Sequence, residues 1–129
     1  MPCRENEIAT AVVQAAIRIH EALGPGLLES VYESCLEAEL HKKGFQVRRQ
    51  QPIPVVYDGE KLEDGFRADL LVDGLVIVEI KSVEALAPVH FKTVLSYLRL
   101  SSKKLGILIN FNEALVKDGI KRIVNGLAE

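Results

Sequence analysis

Two apolar runs in the middle of the chain constrain its fold more than any other feature. Phe66 to Leu71 and Leu75 to Lys81 are separated by a turn around Asp73-Gly74, and both runs carry aliphatic residues at consecutive positions. Consecutive side chains of a strand point to opposite faces of the sheet, so both faces of these strands need a cover. The pattern predicts two central strands of a sheet with other elements packed on both sides.

The rest of the chain supplies helices and further strands. Apolar residues at helical spacing predict helices over Glu5 to Leu23, Leu27 to Lys43, Pro88 to Leu100 and Leu115 to Leu127. Shorter apolar runs predict strands over Phe45 to Arg48, Ile53 to Tyr57 and Gly106 to Phe111. The Pro52-x-Pro54 pair favours a sheet edge. We therefore expect residues 1–129 to form one α/β domain, a central mixed β-sheet flanked by helices.

Composition and charge limit the partners that the chain can have. Sixteen Lys and Arg against eighteen Asp and Glu give a net charge of −2. Proteins that bind nucleic acid often carry a basic balance, so such a role here must rest on a local site. No segment has the length of a membrane span or the pattern of a signal peptide. We expect a cytoplasmic protein with no membrane partner, and the sequence leaves a homo-oligomer open.

Three charged residues interrupt the apolar strands. Asp69 lies in the first run, and Glu79 and Lys81 end the second, where alternation puts both on one face. Burying an unpaired charge is costly, so these residues need a reason to be there. Two carboxylates beside an ammonium group can bind a divalent cation and orient a water molecule. A buried ion pair of Lys81 with Asp69 or Glu79 explains the spacing equally well, and both interpretations stay open.

The turn between the two strands decides whether the carboxylates can meet. A two-residue turn would point Asp69 and Glu79 to opposite faces. A three-residue turn, Val72-Asp73-Gly74, would pair Asp69 with Ile77 and bring both carboxylates to one face. That turn requires a left-handed third residue, which Gly74 suits. We predict an antiparallel hairpin with Gly74 at positive φ and with the two carboxylates and Lys81 converging on one face.

Four motifs of the chain resemble those of the GxxExxY protein family. They are Gly26-Leu27-Leu28-Glu29-Ser30-Val31-Tyr32, Phe66-Arg67-Ala68-Asp69, Glu79-Ile80-Lys81 and Gly106-Ile107-Leu108-Ile109-Asn110-Phe111-Asn112. Their order is that of the family, and the resemblance spans roughly residues 5 to 127. The family is assigned to the PD-(D/E)XK nuclease-like superfamily. The resemblance therefore implies a restriction-endonuclease-like core, a mixed sheet in α-β-β-β-α-β order.

The resemblance also implies a metal-dependent nuclease acting on DNA or RNA. Asp69, Glu79 and the backbone carbonyl of Ile80 would ligate Mg²⁺ or Mn²⁺. Lys81 would position the attacking water and stabilise charge on the phosphate. Glu29 would be the extra acid that many such nucleases add from a helix. Its alternative is an ordinary glutamate of a first helical turn, favoured there by the helix dipole.

Three further residues are candidate substrate contacts: Arg67, His90 and Thr93. For His90, which lies near a helix N-terminus, a helix cap or an ordinary surface histidine explains the position equally well. Members of the family usually carry a glutamine at the position of Thr93, and threonine is too short to make the same reach. This departure supports an alternative from another class. In that alternative the chain is a catalytically silent nuclease-like domain that binds nucleic acid or a protein partner.

Overall fold

The strands of this protein form one mixed sheet, in a computed structural model that describes residues 3–128 apart from the side chain of Asp64. The helices are α1 (Arg4–Leu23), α2 (Glu29–Lys42) and α3 (Pro88–Ser101). The strands are β1 (Val47–Tyr57), β2 (Glu60–Val72), β3 (Val76–Lys81), β4 (Leu105–Asn110) and β5 (Ile120–Val124). They lie side by side in chain order, and only β3 and β4 are parallel. Because parallel strands need a crossover, α3 lies between them in the chain.

The helices cover both faces of the sheet, as the apolar runs predicted. Val76, Val78 and Ile80 of β3 belong to the core that β3 shares with α1 and α2. Ile77 points the other way and packs with Val94 of α3. The predicted α/β class with a restriction-endonuclease-like core is confirmed. Within residues 3–128, no helix is both long and apolar enough to cross a membrane.

The predicted C-terminal helix, Leu115 to Leu127, is wrong. Val116–Gly119 forms a short 3₁₀ turn, and β5 then pairs antiparallel with β4. The error came from the spacing of Ile120 and Ile123, which suits one face of a helix. In a strand the same spacing sends the two side chains to opposite faces. Ile120 packs on the α1 side and Ile123 on the α3 side, so both are partly covered.

β1 and β2 are both longer than the strands predicted for them, and β2 begins at Glu60 rather than at Phe66. The two short strands expected on either side of residues 49–52 are one continuous strand, β1, which lies at the edge of the sheet as the prolines indicated. It joins β2 through the Asp58-Gly59 turn. The ladder is irregular between Ile53 and Val55, opposite Gly65. A Cβ atom on Gly65 would lie 2.4 Å from the Ile53 carbonyl oxygen, so a side chain there would clash.

The turn between β2 and β3 has the predicted left-handed glycine but a different register. Gly74 has φ +67°, and Asp73 before it has φ +51°. The Leu75 N–H donates to the Val72 carbonyl at 3.0 Å, and Leu75 is then an extra residue before β3 begins. Leu70 pairs with Val78, which sets Asp69 opposite Glu79. The predicted pairing of Asp69 with Ile77 was therefore wrong by two residues. A shift of two keeps every side chain on its face.

Candidate functional site

Strands β2 and β3 stop pairing through their backbones where the two acids lie. The last paired residues are Leu70 and Val78. Beyond them, the Asp69 N–H donates to Glu79 Oε1 at 3.1 Å, and the Ile80 N–H donates to Asp69 Oδ2 at 2.8 Å. Each carboxylate thus binds the backbone of the opposite strand, in place of a ladder bond. The predicted meeting of Asp69 and Glu79 is observed.

The Glu79 carboxyl lies in an unfavourable place for a negative charge. Glu79 is 7% exposed. Burial raises its pKa to about 8, and the nearby charge of Asp69 adds to the rise. The Asp69 N–H and the charge of Lys81 act in the opposite direction and do not cancel it. The raised pKa favours the protonated form of this carboxyl in the metal-free protein.

Lys81 ends β3 with an ammonium group that no partner holds among residues 3–128. Its side chain makes neither a hydrogen bond nor an ion pair there, although its charge lowers the pKa of Glu79. Its backbone carbonyl accepts a 2.9 Å bond from the Phe111 N–H, which fixes the strand end against β4. The buried ion pair of Lys81 with Asp69 or Glu79, open from the sequence, is not formed in the described part of the chain.

Two residues that the sequence analysis missed, Gln50 and Glu33, connect Asp69 with α2. The Gln50 amide donates from Nε2 to Glu33 Oε1 at 2.8 Å and to Asp69 Oδ1 at 3.2 Å. Glu33 is 6% exposed and also accepts from Arg49 at 3.3 Å. An acid beside Tyr32 in the apolar stripe of α2 was a signal that could have identified Glu33. No sequence signal distinguished Gln50 from Gln51.

Glu29, the predicted helical acid, is not bonded to the two carboxylates in the described part of the chain. It is exposed in the first turn of α2 and makes no hydrogen bond or ion pair with the residues described. One turn later, Glu33 occupies the position that connects α2 with Asp69 through Gln50. The role predicted for Glu29 therefore stays a prediction, beside its alternative as a first-turn glutamate.

The GxxExxY-like segment is bonded to the strand end that carries Lys81. The Tyr32 hydroxyl donates to the Gly24 carbonyl at 2.6 Å and accepts from the Leu27 N–H at 3.1 Å. Its ring stacks on Phe111, with centroids 4.2 Å apart. The Leu27 carbonyl accepts a 2.7 Å bond from Ser82, the residue after Lys81. This loop therefore supports the site rather than forming it.

Helix α3 brings Tyr97, another residue that the sequence analysis missed, towards the carboxylates. Burial raises the pKa of Tyr97, and the charges of Glu79 and Asp69 raise it further. The Tyr97 ring stacks on Phe66 with centroids 3.8 Å apart. The signal for Tyr97 was its position one helical turn after Thr93.

The three predicted substrate contacts lie on β2 and α3. His90 Nδ1 accepts the Ala87 N–H at 2.9 Å and so caps the start of α3. Thr93 is half-buried on the same helix. Arg67 is exposed, two residues before Asp69, and donates to the Gln50 carbonyl at 3.3 Å. None of the three forms a hydrogen bond with Asp69 or Glu79 among the residues described.

The oxygen atoms at this position suit a hard divalent cation that keeps part of its water shell. No three His, Cys, Asp or Glu side chains within residues 3–128 are grouped to hold a metal. The site offers two carboxylates, and one oxygen of Glu79 has no hydrogen bond to the described residues. The Ile80 carbonyl points to the same side of its strand as the Ile80 N–H, towards Asp69. Such a partial shell is typical of Mg²⁺, which takes its remaining ligands from water and phosphate.

Comparisons with known proteins agree with this arrangement. A sequence model of the PD-(D/E)XK nuclease superfamily matches residues 6–123, nearly the whole chain. Neither the curated proteins nor the solved structures give a match. The match does not extend to the narrower GxxExxY family, which stays a prediction. On the match and on the sheet that carries Asp69, Glu79 and Lys81, the chain belongs to the PD-(D/E)XK nuclease superfamily.

Proposed function

We propose that this protein is a divalent-metal-dependent nuclease that hydrolyses phosphodiester bonds in DNA or RNA. One observation carries the proposal: Asp69 and Glu79 meet where β2 and β3 separate, beside an ammonium group with no partner among residues 3–128. A buried acid whose pKa is raised by burial and by a second acid is a common feature of functional sites. If the three charged residues formed only a structural ion pair, Lys81 would be bonded to Asp69 or Glu79.

In this proposal, Asp69, Glu79 and the Ile80 carbonyl would hold Mg²⁺ or Mn²⁺. The bound cation would supply positive charge to the phosphate and to a nucleophilic water. Glu79 would release its proton to solvent in the metal-bound protein, because the positive charge of the cation would offset the repulsion between the two carboxylates. Asp69 stays oriented through its bond to the Ile80 N–H. Lys81 then orients the water and stabilises the negative charge that develops on the phosphate.

In the proposed function, residues of β2 and α3 contact the substrate. Arg67 is exposed on the strand that carries Asp69, and an arginine there can contact a phosphate without reading sequence. His90 and Thr93 lie on α3, with Tyr97 one turn further. A nucleic-acid partner is supported by the superfamily, while the net charge of −2 requires these few contacts to provide the affinity.

A second candidate function is a silent nuclease-like domain that binds nucleic acid or a protein. Thr93 favours it, because the family that the chain resembles usually has a glutamine there. The variant Thr93→Gln separates the two candidates. In a nuclease limited by the missing amide, cleavage rises above that of the wild type. A silent domain cleaves nothing with either residue.

The test of the first candidate combines metal binding with cleavage. Wild type is titrated with Mn²⁺ by calorimetry and incubated with Mn²⁺ and single-stranded DNA, duplex DNA or RNA. We expect cleavage of at least one substrate, stopped by EDTA and abolished in Glu79→Gln. The control is Glu84→Gln, which removes an exposed acid three residues after Lys81 and should change neither result. Mn²⁺ binding without cleavage by wild type or Thr93→Gln would favour the silent domain. If the wild type neither binds Mn²⁺ nor cleaves any substrate, the proposed metal site is ruled out.

A further inference from the structure

We infer that Gln50 is a positioning residue that fixes the orientation of the Asp69 carboxylate. For its role in metal binding the inference rests on the proposed function, while the effect on Asp69 itself does not. The Gln50 amide bridges two acids from different elements, Glu33 on α2 and Asp69 on β2. No sequence motif of the chain includes Gln50, and the resemblance assigned it no role.

The bridge has one well-anchored end. Glu33 is buried, and its two carboxylate oxygens have separate partners, Oε1 the Gln50 amide and Oε2 the Arg49 guanidinium. A carboxylate held in this way cannot rotate freely. The Gln50 amide, which donates to this carboxylate, is therefore fixed as well. Its Nε2 also donates to Asp69 Oδ1 at 3.2 Å.

The backbone of Gln50 gives an independent argument. Gln50 has φ +48° in the middle of β1, a left-handed conformation that favours glycine. The neighbouring pairs, Arg49 with Leu70 and Gln51 with Ala68, keep the regular register on both sides. A strained residue is retained where the surrounding structure requires it, and strain of this kind clusters at functional sites. This left-handed residue carries an amide side chain, and that amide forms the bridge from Glu33 to Asp69.

Asp69 is consequently held at both of its oxygens. Oδ2 accepts the Ile80 N–H at 2.8 Å, and Oδ1 accepts the Gln50 amide. Together these bonds fix the plane of the carboxylate relative to β3. Loss of the amide leaves one bond, about which the carboxylate can turn. The bond to the Ile80 N–H then weakens as well, and a cation meets a less ordered ligand.

Two substitutions of Gln50 separate positioning from stability. Gln50→Ala and Gln50→Gly both remove the amide, but only glycine relieves the left-handed backbone, so Gln50→Gly should melt at the higher temperature. The matched control is Gln51→Ala, which removes a neighbouring amide whose only hydrogen bond within residues 3–128 is to the Pro52 carbonyl. Hydrogen exchange of the Ile80 amide is followed by NMR in the metal-free protein. Mn²⁺ affinity is measured by calorimetry.

We expect the Ile80 amide to exchange faster in both Gln50 variants, by about tenfold, and Mn²⁺ affinity to fall by about 10–100-fold in both. Gln51→Ala should match the wild type in both measurements. The positioning role is overturned if Ile80 exchange is unchanged in Gln50→Gly, or if the effects follow melting temperature and appear only in Gln50→Ala. A wild type that binds no Mn²⁺ overturns the proposed function, and Ile80 exchange still decides whether Gln50 holds Asp69.

Discussion

At the scale of single residues, the burial of Glu79 couples the site to pH. An ordinary glutamate has a pKa of 4.5, and this one has about 8. Between these values the folded protein holds a proton that the unfolded chain has released, so unfolding becomes easier as pH rises. The stability associated with this proton is fully present below pH 4.5 and is lost as pH passes 8. The metal-free site is thus least stable in the pH range where a metal would bind best.

The variant Glu79→Gln tests this coupling. Glutamine cannot ionise, so the metal-free variant should be more stable than the wild type at pH 9, by at least about 1 kcal/mol. The difference should shrink towards pH 5, where Glu79 is protonated in the folded protein. Urea denaturation at both pH values measures it, with Glu84→Gln as the control. Equal dependence on pH in wild type and Glu79→Gln would show that Glu79 is not the titrating group.

The roles proposed for Asp69 and Lys81 differ in what each substitution removes. Asp69→Asn should weaken Mn²⁺ binding by roughly tenfold or more, because a neutral amide is a poorer ligand for a hard cation. Lys81→Ala should leave Mn²⁺ binding within a few-fold and abolish cleavage, because the lysine acts on water and phosphate. Calorimetry and a cleavage assay on the same samples separate the two effects. Unchanged Mn²⁺ affinity in Asp69→Asn would mean that Asp69 is not a ligand.

Sequence reasoning found the residues that break an apolar strand and missed those that support them. Asp69, Glu79 and Lys81 were identifiable because a charge in a buried strand needs a reason. Gln50 was not, because it lies in a polar stretch and its role depends on a left-handed backbone. The extra helical acid was expected at Glu29 from the resemblance. That role stays a prediction, and only the packing of α2 against β1 reveals that Glu33 is linked with Asp69 through Gln50.

At the scale of elements, the position of α3 depends on a glycine in β4. A Cβ atom on Gly106 would lie 2.7 Å from Cγ1 of Val94, so the absence of a side chain lets α3 pack closely on the sheet. The same helix carries Thr93 and Tyr97. A change at Gly106 should therefore affect both the core and the side of the site formed by α3.

Gly106→Ala should destabilise the protein by about 1–3 kcal/mol through overpacking against Val94. Val94→Ala makes room for the new methyl group, so the double variant should lose less stability than the sum of the two single variants. A double-mutant cycle from urea denaturation measures this coupling. Additive losses would mean that the two residues do not compete for the same space.

The elements themselves were predictable where the hydrophobic period was unambiguous. The central strands and α3 follow directly from their apolar patterns. The bounds of β3 and α3 differ by one residue from those expected, whereas β2 begins at Glu60 rather than at Phe66. The C-terminal segment was not predictable, because a strand covered on both faces can imitate helical spacing at Ile120 and Ile123. The register of β2 with β3 depends on Leu75, an extra residue that no turn rule identified.

At the scale of the whole molecule, a net charge of −2 gives nucleic acid no general attraction. In the proposed function, binding must come from a few local phosphate contacts, so its dependence on salt should be shallow. Each phosphate contact contributes about 0.9 to the slope of log affinity against log salt.

Arg67→Ala should lower that slope by about this amount. Fluorescence anisotropy with a labelled oligonucleotide measures it, and Arg99→Ala, an exposed arginine at the end of α3, is the control. An equal change of this slope in both variants would show that Arg67 does not contact the nucleic acid.

The placement of proline and charge on the outer strands has a consequence for contacts between copies of the chain. An open sheet edge is a template onto which another molecule can add a strand, and this route leads to aggregation. Strand β1 carries Pro52 and Pro54, which have no N–H to donate, and β5 is short with Lys121 and Arg122 exposed at its centre. Both edges therefore resist strand addition, and replacing the two prolines would open an eleven-residue edge to it.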